Sequence, residues 1–186
     1  NLGALSAGTA TGNVTVTGDQ LTGTPTVAVK TTGAVVFESS STAFGSTFST
    51  TSLSLSGPPS SLRIGKSTNT SGVTISGGTT SVAGPVNIYG AAVTVSSAIT
   101  TTTSGGDVNI PATGALSITA AISASGNITA TGTGVTTSAN LGSSGSTGIS
   151  LTASTGAVAI GGTLAVTTST TGKIWLKAAT NVTTTT

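Results

Sequence analysis

Asp19, Glu38 and Asp107 are the carboxylates of this sequence, and Lys30, Arg63, Lys66, Lys173 and Lys177 are its cations. His and Cys are absent. That removes Ser-His and Cys-His nucleophilic pairs and the His/Cys ligand sets of structural and catalytic zinc. A pair of acids is what remains for catalysis, and glycoside hydrolysis does need two carboxyl groups flanking the scissile bond. Asp19 and Glu38 lie one structural repeat apart and could approach each other. Neither falls in a strand-like unit, so both read as solvated loop acids. Calcium would need several oxygen ligands including acids, and the Gly-Gly-x-Gly-x-Asp calcium repeat is missing. Gly77-Gly78 and Gly161-Gly162 lack the Lys and the helix of a phosphate-binding loop and read as corners. The sequence is therefore expected to be no enzyme and to hold no cofactor or metal.

The remaining chemistry is that of hydroxyl and amide groups. Thr15/Thr17, Thr74/Ser76, Thr94/Ser96, Ser117/Thr119 and Ser150/Thr152 form Thr-x-Thr-like pairs. On a flat face such rows could order water and bind ice or a polysaccharide, although Thr also simply suits exposed β positions. Phe44, Phe48, Thr74 and Thr94 are the candidate surface contacts. Asn13, Asn69, Asn127 and Asn181 each begin Asn-x-Ser/Thr, a glycosylation acceptor pattern. In a chain this rich in Ser and Thr, chance produces most such matches.

The elements that must position these groups follow from composition and period. Charged residues make up 4% of the sequence, against about a quarter in an ordinary soluble domain. Net charge is +2 and the hydrophobic fraction is 35%, carried by Val, Ile, Leu and Ala. Disorder needs the opposite balance, so folded β structure is expected. Five scattered cations form no basic stripe, and Phe37, Phe44, Phe48, Tyr89 and Trp175 are too few for stacking platforms, which excludes a nucleic-acid partner. The uncharged stretch between Asp107 and Lys173 is broken throughout by Ser, Thr, Asn and Gly, so no membrane span is expected. Five aromatics also cannot build the two girdles of a membrane barrel.

A short unit recurs: Gly, none to two residues, then apolar–small–apolar. It reads Gly72-Val73-Thr74-Ile75, Gly90-Ala91-Ala92-Val93-Thr94-Val95, Gly106-Asp107-Val108-Asn109-Ile110 and Gly156-Ala157-Val158-Ala159-Ile160, with further copies from Gly12 to Leu176. Alternation with β-branched residues is the strand signal, and Gly ahead of each strand supplies a corner. Every second copy recurs after about 20 residues: Leu53 to Val73, Val73 to Val93, Val86 to Val108 and Val108 to Ile128. Such a period marks a stacked repeat. The expected fold is all-β: a single elongated right-handed parallel β-helix, or β-solenoid, over residues 1–186. Its rungs of about 20 residues carry short Gly-cornered strands, two per turn, with a third strand or an altered rung where copies crowd near the C-terminus. Roughly nine rungs would make a rod about 40 Å long. Residues 34–59, with Phe37, Phe44, Phe48 and Pro58-Pro59, break the pattern and are expected to form a loop or hairpin protruding from the coil.

From Gly72 to Leu176 the phrases Gly-Asp-Val-Asn-Ile, Gly-Asn-Ile-Thr-Ala and Ile-Ser-Leu-Thr-Ala-Ser-Thr-Gly-Ala-Val resemble the repeat region of filamentous-haemagglutinin-like adhesins exported by two-partner secretion, or of a related bacterial surface β-solenoid. The resemblance implies a right-handed β-helix at the bacterial cell surface or outside the cell, with a role in adhesion or biofilm. The expected partners are neighbouring rungs of a longer chain or further copies of itself, stacked into a filament, together with host or matrix glycans. An ice- or polysaccharide-binding solenoid using its outward Thr/Ser rows is the alternative.

Overall fold

The computed structural model describes residues 5–6, 11–20, 27–78, 80–167 and 171–184. Every regular element among them is a strand, and every strand pair is parallel. The chain is a β-solenoid with three walls. The first wall stacks eight strands: Val14–Thr17, Ala34–Glu38, Ser61–Ile64, Val86–Ile88, Val108–Pro111, Ile128–Gly132, Gly148–Ala153 and Lys173–Lys177. The second stacks seven, from Phe48–Ser49 through Val73–Ile75, Val93–Val95 and Leu116–Ile118 to Val182–Thr184. The third stacks five, from Thr80–Val82 through Ile99–Thr101, Ile122–Ala124 and Leu141–Ser143 to Leu164–Val166. A separate three-stranded sheet of Leu5–Ser6, Val27–Lys30 and Leu53–Leu55 completes the upper end. Eight stacked strands span about 34 Å at the usual inter-strand spacing.

Alternation decides which side chains fill the coil. Val73, Ile75, Val93, Val95, Val108 and Ile110 are all buried, as the triplets predict, while Thr74, Thr94 and Asn109 between them are half-buried on the outside. Registers keep these positions in columns. Val35, Leu62, Val86, Val108, Ile128 and Ile149 follow one another down the first wall. The predicted steps Val73 to Val93, Val86 to Val108 and Val108 to Ile128 are the observed pairings. Leu53 to Val73 is not: Val73 pairs with Phe48, and Leu53 pairs with Val27.

Each full turn carries three strands where the spacing led to an expectation of two. The third wall escaped the apolar–small–apolar pattern because small or hydroxylated residues take some of its inward positions. Thr80, Thr101, Ala124 and Ser143 are buried there. Two of the hydroxyls turn onto corner carbonyls: Thr101 Oγ1 donates to Gly106 O (2.5 Å), and Ser143 Oγ donates to Gly126 O (2.8 Å). A buried hydroxyl bonded in this way avoids the penalty of an unpaired polar group. No buried side-chain N or O lacks a partner among the described residues. At the corner before strand Gly148–Ala153, Gly148 has φ +87°, and a Cβ there would lie 2.2 Å from Lys173 O. Both facts require glycine at that position.

Residues 34–59 do not protrude, which corrects the expectation for them. Ala34–Glu38, Phe48–Ser49 and Leu53–Leu55 are wall strands paired to neighbouring rungs. Phe37, Phe44 and Phe48 lie buried inside the coil. The Phe44 and Phe48 rings stack at 4.5 Å, and Phe37 tilts against Phe48 at 5.8 Å. The step from Val35 to Leu62 is 27 residues, against 20 from Val73 to Val93. Residues 39–47 take up much of that excess as a loop that folds back, carrying Phe44 into the core. This longer rung makes room in the interior for three rings.

Candidate functional site

The acids come first. Glu38 stands outward on the first wall, and its Oε2 accepts a hydrogen bond from Arg63 Nη2 at 2.7 Å, on the next strand down. Arg63 Nη1 also donates to Gly65 O at 2.8 Å. Asp19 is exposed beyond strand Val14–Thr17 and faces the 39–47 loop, where a Cβ on Gly45 would sit 3.2 Å from its Oδ2. The two carboxyls thus meet different partners. Asp107 is a corner clamp. Its Oδ1 accepts hydrogen bonds from the Asn127 backbone N (2.7 Å) and Asn127 Nδ2 (3.1 Å), one rung below.

Asn127 repeats the device downward, with Oδ1 accepting from Thr147 N (2.8 Å) and Gly148 N (3.0 Å). Asn13 Oδ1 does the same for Ala34 N, and Asn140 Oδ1 for Thr163 N, each at 2.9 Å. These amides satisfy corner N–H groups that the ladder leaves over. Asn69 is buried, and its Nδ2 donates to Tyr89 O (2.8 Å) and Ser71 O (3.2 Å). An amide nitrogen held this way is not presented for glycosylation. The sequence carried a signal for two of the clamps, because Asp107 and Asn127 each sit directly before a strand, one rung apart. Asn87 and Asn109 form a further ladder step on the outer first wall, Asn109 Nδ2 donating to Asn87 Oδ1 at 3.2 Å.

The Thr/Ser pairs divide between walls. Thr15/Thr17 and Ser150/Thr152 lie on the first wall. Thr74, Thr94 and Ser117 lie on the second, in register with Ser49 above and with Thr136, Ala159 and Thr183 below. Thr136 is a member of the row that the Thr-x-Thr pattern missed. The flanking hydroxyls are engaged: Ser96 Oγ donates to Ile75 O (3.0 Å) and Thr119 Oγ1 to Val95 O (3.2 Å). The hydroxyls of Thr74, Thr94, Ser117 and Thr136 remain available to an outside partner. Of the other candidate contacts, Phe44 and Phe48 are buried and cannot touch a ligand, which corrects that expectation.

A small polar cleft of about 250 Å³ opens where Leu53–Leu55 and Thr80–Val82 fail to form a ladder, lined by Thr50, Thr51, Ser54, Ser76 and Gly77 among others. Its hydroxyls bond one another, with Thr51 Oγ1 2.6 Å from Ser76 Oγ and Thr50 Oγ1 donating to Ser76 O at 2.9 Å. No group of three or more His, Cys, Asp or Glu side chains capable of holding a metal occurs among the described residues. Nor is any helix there long and apolar enough to cross a membrane. Compared with known proteins, the chain matches no family model, no curated protein and no solved structure.

Proposed function

We propose that this chain is a structural and adhesive segment of a bacterial extracellular fibre, a stiff rod whose outer walls serve as contact surface and which performs no reaction. The observation that supports this reading most is the unbroken parallel register of the first wall over eight strands, with an apolar column inside it. Each rung hydrogen-bonds to the next and shares its core with it, so load and order pass along the axis. Glu38, Asp107 and Asn127 each bond to the neighbouring rung, which supports this reading.

The lower end of the first wall favours assembly in one direction. Among the described residues, strand Lys173–Lys177 has a ladder partner on one side only. Ile174, which continues the Ile128–Ile149 column, is 45% exposed there. Lys173 and Lys177 point outward on the same strand, and Lys at an edge discourages pairing with a like edge. The upper strand Val14–Thr17 carries Thr15 and Thr17 outward, with exposed Asp19 just beyond. Tail-to-tail pairing would oppose two pairs of lysines, whereas head-to-tail pairing brings lysines toward Asp19. A head-to-tail contact that does not close gives a filament. In electron microscopy and light scattering, the isolated chain is expected to form rods that lengthen with concentration, and Ile174→Lys to shorten them without unfolding the coil. A monodisperse monomer at every concentration would contradict the filament reading.

The free hydroxyl column of the second wall supports one other reading, an ice-binding face. Its rungs repeat at about 4.8 Å on a wall whose outward positions carry no charge, an array of methyl and hydroxyl groups that ordered water could follow. Thermal hysteresis lost on Thr94→Lys would establish it; no hysteresis and no ice shaping by the wild-type chain would rule it out.

A further inference from the structure

The last first-wall strand holds a group of side chains that neither the rod nor the hydroxyl row uses. Lys173, Trp175 and Lys177 alternate with inward Ile174 and Leu176, so all three stand on the outer wall. Trp175 is 62% exposed and is the single tryptophan of the chain. Two strand steps separate it from each lysine, about 6.6 Å on either side. A groove of about 290 Å³ runs beside the indole, lined by Thr147, Ile149, Ser150 and Lys173. Directly above Trp175 in register stand Ser150 and Thr129, and above Lys177 stand Thr152 and Thr131. These small side chains form a hydroxyl-bearing shelf beside the exposed indole.

Charge selects the ligand. No Asp or Glu follows Asp107 in the sequence, so among the described residues no acidic side chain on the lower half of the coil pairs with the two lysines. An exposed indole presents a large apolar face, the shelf offers hydroxyls for hydrogen bonding, and an ammonium stands on each side to receive an anionic oxygen. We propose that Lys173, Trp175 and Lys177, with the shelf of Ser150 and Thr152, bind an acidic polysaccharide, one sugar ring lying on the indole and its carboxylate or sulfate groups meeting the lysines. A single-stranded nucleic acid is a poorer fit, because it calls for several aromatic platforms along a cationic track. An anionic membrane calls for a larger cluster of basic residues. The proposal gives the contact-surface part of the fibre reading a ligand class, and the coil would present this site even if it bore no load.

The lone tryptophan makes the site directly observable. The full chain would be titrated with alginate oligosaccharides (carboxylate), heparin oligosaccharides (sulfate), neutral dextran and oligo(dT), followed by indole fluorescence and calorimetry. The expected result is a fluorescence change and measurable heat with alginate or heparin, weakening as salt rises, and none with dextran. Trp175→Ala, and separately the pair Lys173→Gln with Lys177→Gln, should each weaken binding at least about tenfold, as expected for a central aromatic or charged contact. Both variants should melt with the parent chain, since all three side chains point outward. No binding to either acidic probe, equal binding by the variants, or tighter binding of oligo(dT) would overturn the proposal. No binding of either acidic probe by the parent chain, with rods still seen by microscopy, would refute this site alone; binding by the parent chain without rods would refute the fibre reading alone.

Discussion

Val93→Asp is expected to cost the coil several kcal/mol, while Thr94→Asp, its immediate neighbour, shifts stability by no more than about 1 kcal/mol. Val93 is 1% exposed, and Val73 above it and Leu116 below it in register are equally enclosed. A carboxylate placed there would lose its hydration and find aliphatic neighbours on both sides. It would either remain charged at high cost or take up a proton and leave a buried acid short of partners. Thr94 stands on the outside of the second wall, where an acid keeps its water. The check is urea unfolding of both variants, comparing midpoints at unchanged slope. Similar midpoints for the two would contradict the stacked-rung interior, since the variants differ only in which way the new carboxylate points.

The contrast between those two residues also shows what the sequence could tell. Wherever both inward positions of a triplet are Val, Ile or Leu, as in Val73-Thr74-Ile75 or Val108-Asn109-Ile110, the period-two signal stands out, and the walls they form could be read directly. Thr80-Ser81-Val82 and Leu141-Gly142-Ser143 are equally short strands, but Thr80 and Ser143 occupy inward positions. A buried hydroxyl that bonds a corner carbonyl satisfies the interior as well as a methyl group does, and nothing local distinguishes it from an exposed one. The third wall was hidden for that reason. The register error at Leu53 has a related cause: the step from Phe48 to Val73 is 25 residues against 20 from Val73 to Val93, the longer corner between Ile64 and Val73 taking up most of the excess, and Phe48 opens no Gly-led triplet.

The groups with chemistry were harder to place than the strands. Glu38, Asp107 and Asn127 are single residues whose meaning depends on what lies one rung away, and that distance became known only with the register. Thr74, Thr94 and Ser117 could be aligned from spacing alone, because the three belong to triplets of the legible kind. Lys173-Ile174-Trp175-Leu176-Lys177 alternates as clearly as any strand, but two lysines among so few charges make no basic stripe in the sequence, and they gain meaning only once the strand sets them on one outer wall.

Phe48→Ala is the second large effect, expected to cost about 3–5 kcal/mol. Its ring is buried, stacks on Phe44 at 4.5 Å and meets Phe37 at 5.8 Å, so truncation would empty the centre of the widest rung. The loop could not collapse freely into that space. Asn69 holds it from below, its Oδ1 accepting from Phe44 N at 3.1 Å while its Nδ2 is bonded to Tyr89 O on the following rung. The cavity should therefore persist and be felt by neighbouring rungs on both sides, because each rung is stabilised largely by the ones it touches. Thr47→Ala, at an exposed position adjacent to Phe48, should stay within about 0.5 kcal/mol and serves as the control. Thermal and urea unfolding of the two variants would separate the alternatives. If Phe48→Ala melted with Thr47→Ala, the three rings would belong to a lateral loop packed on the coil's flank. A loss of several kcal/mol, with the upper rungs unfolding first, would place them in the wall that carries the first turns of the rod.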